Sequence, residues 1–68
     1  MNKEQQLTDD SPMPFGKYKD RRMIDVPASY LHYLWDRGLQ AEVWMNPVAD
    51  YIYRNLPTLQ IEHPDGIW

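Results

Sequence analysis

Met13-Pro14-Phe15-Gly16-Lys17-Tyr18-Lys19-Asp20-Arg21-Arg22-Met23-Ile24 carries the main architectural choice in this chain. Lys19-Asp20 has the chemistry of a two-residue turn, because Asp tolerates the left-handed backbone better than most residues. The apolar residues Met23 and Ile24 lie toward the base, and the charges gather at the tip. This pattern predicts a short β-hairpin, which is marginal alone in water and needs something to pack on. Gly16 predicts a bulge, or room for an aromatic ring crossing the strand.

The sequence supplies a packing partner immediately after. Pro27 suits a first helical turn, where its absent N–H is not missed, and Asp25 stands where it can cap exposed donors. Tyr30, Leu31, Leu34 and Trp35 then share one face of a helix. Gly38 follows Arg37 where a left-handed C-terminal cap is expected. Leu39 to Met45 is an apolar connection, either a short helical turn or a linker packed on the core. Asn46-Pro47 reads as a cap and a helix-starting proline. Val48, Tyr51, Ile52 and Leu56 repeat at helical spacing behind it. Pro57 is expected to end that second helix. Leu59 and Ile61, alternating with Gln60 and Glu62, then predict a short strand or extended arm. Pro64-Asp65-Gly66 is turn chemistry. The polar residues 1–12 predict a disordered tail. The expected fold is α+β: a single domain over residues 13–68, with a short β-hairpin packed on two helices.

Composition bounds the rest. The chain has 68 residues, 43% of them hydrophobic, and no cysteine. Disulfides and thiolate metal sites, two common staples of short chains, are therefore excluded. Nine aromatics are expected to supply much of the buried area in their place. Residues 1–12 hold no apolar run, so neither a signal peptide nor a membrane anchor is expected there, and the expected location is the cytoplasm. The net charge of −3 hides an asymmetry. From Phe15 to Ile24 the chain carries Lys17, Lys19, Arg21 and Arg22 against Asp20 alone, a local +3, while the remainder sums to −6. Edge lysines also discourage strand aggregation, so this charge has a structural reading as well.

No constellation for catalysis stands out. Glu62-His63 with Asp65 groups three metal-ligand types, but a solvated turn is the simpler reading without a fourth ligand. His32 falls off the main apolar face. Ser29 lies near it on the same helix, but no triad partner is visible. The lone Gly16 lacks the glycine-rich context of a phosphate-cradling loop, and the carboxylates are scattered. The expectation is a protein that is not an enzyme, with no cofactor and no metal.

Met13-Pro14-Phe15-Gly16-Lys17-Tyr18-Lys19, followed by Ile24-Asp25-Val26-Pro27, Tyr30-Leu31 and Leu34-Trp35, resembles a known signature. It is similar to that of a small uncharacterised bacterial family labelled quorum-sensing-regulated virulence factors. A like signature is found in the C-terminal appendage of exonuclease X-like and polymerase III epsilon-like proofreading exonucleases. The resemblance covers about residues 13–37, roughly a third of the chain. The family usually has glycine where this chain has Asp20. The resemblance implies an accessory role, contact with nucleic acid or with a nucleic-acid-processing protein, because the exonuclease acidic metal cluster belongs to another domain.

These readings converge on a non-catalytic small binding module. Its expected contact residues are Lys17, Tyr18, Lys19, Arg21 and Arg22, with Tyr18 beside the cations suited to stacking on unpaired bases. Phe15 is expected beneath the first helix as a core plug. The alternative is a protein-interaction module or homodimer using Trp44, Tyr53 and Trp68 of the C-terminal half.

Overall fold

The computed structural model describes residues 6–68. Among those residues the regular structure is all helical: α1 (Ala28–Asp36), α2 (Pro47–Arg54) and α3 (Leu56–Glu62). Short 3-10 turns at Met23–Asp25 and Leu39–Glu42 precede and follow α1. The α+β expectation is therefore corrected, and the β-hairpin with it.

Pro12 and Arg22 do approach in antiparallel sense, but only as an isolated bridge. The Met23 N–H donates to the Ser11 carbonyl at 2.8 Å, and the Met13 N–H to the Arg21 carbonyl at 2.7 Å. Both ends of this bridge are closed. Asp20 sits at φ 71°, and its N–H turns back to the Met13 carbonyl at 2.9 Å. At the other end the chain coils at once, with the Val26 N–H bonded to the Met23 carbonyl at 3.1 Å. Met23 and Val26 are buried and Ile24 is exposed, a spacing of three that suits a 3-10 turn rather than a strand. Residues 16–21 between them are successive turns, with Lys19 N–H on the Gly16 carbonyl and Arg21 N–H on the Tyr18 carbonyl. Gly16 is no bulge. It holds φ 85°, and a Cβ there would strike the Tyr30 hydroxyl.

α1 starts without a side-chain cap, because Pro27 is itself the extended N-cap residue. Asp25, the expected cap, pairs instead with Arg22 at 3.0 Å. Leu31 and Trp35 are buried, and Gly38 ends the helix at φ 125° as its position implies. The apolar connection after it is in part a helical turn. α2 follows the sequence closely: the Asn46 side chain accepts the Val48 N–H at 2.9 Å, and Pro47 opens the first turn.

Pro57 is a second correction. It stands in the first turn of α3, where a missing N–H costs nothing. The chain therefore runs from α2 through Asn55 into another helix rather than a strand. On α3 Leu59 faces inward and Ile61 outward, as residues two apart on a helix do, whereas a strand would have put both on one face.

The core joins Met13, Met23, Val26, Leu31, Trp35, Val48, Tyr51, Ile52 and Leu59. Two aromatics, Trp35 and Tyr51, belong to it, and Tyr18, Tyr30 and Trp68 pack partly buried against it. Phe15 packs against the core half-buried rather than plugging it. Of the expected N-terminal tail, residues 1–5 lie outside the described residues, and Leu7 and Asp9 make contacts with the helical body. The Asp9 carbonyl accepts the Ile24 N–H at 2.9 Å, and Arg54 donates to the Leu7 carbonyl at 2.7 Å.

Candidate nucleic-acid interface

The turns of residues 16–21 set three cations in solvent. Lys17, Lys19 and Arg21 are exposed, and none has an ion-pair partner among the described residues. Arg22 is different. It pairs with Asp25 at 3.0 Å and with Asp10 at 3.4 Å. The hydrogen bond and charge of Asp25, more than those of Asp10, raise the pKa of its guanidinium. Arg22 therefore contributes little net positive charge, and Asp20 offsets part of the rest.

Tyr18 lies half-buried beside these cations and meets Tyr30 edge to face, with ring centres 4.9 Å apart. Tyr30 in turn stacks on Tyr33 at 6.1 Å, with their planes 26° apart. A cation covers each end of this row: Lys17 Nζ lies 5.6 Å from the Tyr18 ring centre, and the Arg37 guanidinium 5.3 Å from Tyr33. The Tyr30 hydroxyl accepts the Lys17 backbone N–H at 3.2 Å and fixes the loop against α1. The result is a strip of three rings running from the basic loop down one face of α1. Arg37 has no ion-pair partner among the described residues either.

Of the residues expected from sequence, Lys17, Tyr18, Lys19 and Arg21 gather here, while Arg22 is engaged elsewhere. Tyr30, Tyr33 and Arg37 were missed. Their spacing, i, i+3 and i+7, was a visible signal that they share a helix face.

The other candidates resolve differently. Glu62, His63 and Asp65 form no metal site, since no group of three or more potential ligands exists among the described residues. His63 instead approaches His32, with ring centres 5.1 Å apart, and Trp68 packs edge-on to His32 at 4.9 Å. The Trp35 indole N–H donates to the Trp68 carbonyl, and the Trp68 indole N–H to the His63 carbonyl, both at 3.2 Å. Trp68 thereby fastens the last residues to α1. Trp44 and Tyr53 are exposed, Trp44 at 86%. No helix of the described residues is long and apolar enough to cross a membrane.

The model of the family described as "Putative quorum-sensing-regulated virulence factor" matches residues 3–42, more than half of the chain. The chain belongs to this family. The matched residues contain the whole strip from Lys17 to Arg37. Among curated relatives, "Uncharacterized protein YpeB" of Escherichia coli strain K12 is 70% identical over 23 residues. Those residues are 34% of this chain and 29% of that protein. The same figures hold for its counterpart in Escherichia coli O157:H7. The chain thus matches under a third of the length of these relatives. No solved structure matches.

Proposed function

We propose that the protein is a non-catalytic binding module that contacts single-stranded nucleic acid along Lys17, Tyr18, Tyr30, Tyr33 and Arg37. The observation that supports this reading is the row of three packed tyrosines, one pair edge to face and one stacked, with a cation over each end. Single-strand binders combine aromatic faces, on which bases stack, with cations that follow the backbone. Lys19 and Arg21 extend the positive side of the strip. Under this reading the protein works in the cytoplasm and needs no cofactor.

The test is fluorescence anisotropy with labelled single-stranded DNA and RNA at low salt. Affinity is expected to fall as salt rises, because phosphate contacts release counterions. Tyr33→Ala should weaken binding by about 1–3 kcal/mol, the range of one base–aromatic stack. Lys19→Glu with Arg21→Glu should flatten the salt dependence. Absence of binding in low salt would sink the proposal.

A second reading is favoured by Trp44 and Met45, both highly exposed and adjacent. Large apolar side chains side by side at a surface suit contact with another protein. Sedimentation at high concentration and the same run with Trp44→Ser separate self-association from a monomer.

A further inference from the structure

A hollow of about 150 Å³ opens on the opposite chemistry from the basic strip. Its apolar wall is formed by the core residues Met23, Val26, Leu31 and Leu59, with the half-exposed Ile24 beside them. Its polar lining comes from Asp9, Tyr51, Asn55, Thr58 and Glu62. The distribution of donors and acceptors on that lining is lopsided. The Tyr51 hydroxyl already donates to one Asp9 oxygen at 2.7 Å. The Asn55 amide nitrogen already donates to the Tyr51 carbonyl at 2.8 Å. Among the described residues the second Asp9 oxygen, the Asn55 side-chain oxygen and the Glu62 carboxylate accept nothing. Arg54, the cation nearest Tyr51, is committed to Asp50 and to the Leu7 carbonyl.

An anion entering this hollow would meet two carboxylates and few unspent donors. A group with several N–H donors and a positive charge meets acceptors, and its apolar body meets the wall. Sites of this kind, mostly apolar with a few placed polar groups, are the usual form of small-ligand pockets. We propose that the hollow binds a small organic amine: a primary ammonium held between Asp9, Asn55 and Glu62, on a short apolar stem that lies against Leu59 and Val26. This site is independent of the tyrosine strip.

The probe is 2-phenylethylammonium, titrated into the intact protein while methyl and aromatic NMR signals are followed. Saturable shifts are expected at Val26, Leu31 and Leu59. The uncharged 2-phenylethanol should bind about tenfold more weakly, since a charge-assisted contact of this size is worth about 1.4 kcal/mol. Glu62→Gln, at an exposed position, should cost about two- to fivefold in affinity without loss of fold. Thr58→Trp, which fills the mouth from an exposed site, should abolish binding. A lysine of a partner protein offers the same head group. N-acetyl-lysine methylamide should therefore bind more weakly than the probe, and tighter binding would overturn the free-amine assignment. Equal affinity for 2-phenylethanol, shifts confined to Tyr18 and Tyr33, or no saturation by about 20 mM would each overturn the site.

Discussion

The Tyr51 hydroxyl donates to the Asp9 carboxylate at 2.7 Å, joining α2 to a segment 42 residues earlier in the chain. Hydrogen bonds to charged groups contribute about 1.5–3 kcal/mol at most, and this one ends on an exposed carboxylate. Tyr51→Phe should therefore lower stability by about 1 kcal/mol in urea unfolding at neutral pH. It should also change the alkaline limb. Burial, then the hydrogen bond and charge of Asp9, push the Tyr51 phenol above its ordinary value. The contribution is full below about pH 10, where an unfolded tyrosine keeps its proton. Above that the unfolded chain ionises before the native one, so stability falls as pH rises. The Phe variant should lose less stability between neutral and alkaline pH than the parent. Parallel pH profiles for the two would refute this account.

Asn46 makes a single defined contribution. Its side chain accepts the Val48 N–H at the start of α2. Asn46→Ala should cost about 1 kcal/mol, and Asn46→Asp should cost much less, because Asp caps as well as Asn does. Thermal unfolding of the three proteins measures the difference directly.

Asp20 holds a backbone conformation that glycine adopts without strain, with φ 71°. Asp20→Gly should leave stability unchanged or raise it by up to about 1 kcal/mol, the local relief being partly cancelled by greater freedom in the unfolded chain. Asp20→Val should destabilise by more than about 1 kcal/mol, because a β-branched residue resists positive φ. Equal stability of the Gly and Val variants would contradict the turn geometry.

Gly16 couples the loop to the strip. A Cβ there meets the Tyr30 hydroxyl, and the backbone is already at φ 85°. Gly16→Ala should displace Tyr30, disturb its contact with Tyr18, and destabilise the protein by about 1–2 kcal/mol. Aromatic NMR shifts of Tyr18 and Tyr30 report the first effect, and urea unfolding the second. If Tyr30 keeps its shifts, the packing of loop on helix is looser than described.

How far the sequence reaches depends on the range of the forces involved. Asn46-Pro47, Gly38 and the turn-forming Asp20 act within a few residues, and each was readable. The hairpin was misread because a ladder and a single bridge share the same local pattern. What separates them is where Met13 and Met23 are buried, which depends on the distant α2 and α3. Pro57 was misread for a related reason: the same residue ends one helix and opens the next, and only the packing of Leu59 decides. In the candidate interface the cations were legible and their pairing was not. Asp10 and Asp25 take Arg22 through a fold that spacing alone does not reveal. The spacing of Tyr30, Tyr33 and Arg37 marks a common helix face, but it does not reveal that Tyr18 packs against that face.

The isolated bridge at Pro12 has a consequence for how molecules of this protein meet. In an antiparallel pair the bridged residue outside the hydrogen-bonded ring turns its own nitrogen away from the partner. Here that residue is proline, and Pro14 follows on the same side by alternation. The outward margin of the only strand-like pairing among the described residues therefore has no N–H at either position to offer a neighbour. Along the Pro12 side a second chain cannot extend the pairing hydrogen bond by hydrogen bond, so that margin can stay exposed at high protein concentration without seeding an intermolecular sheet.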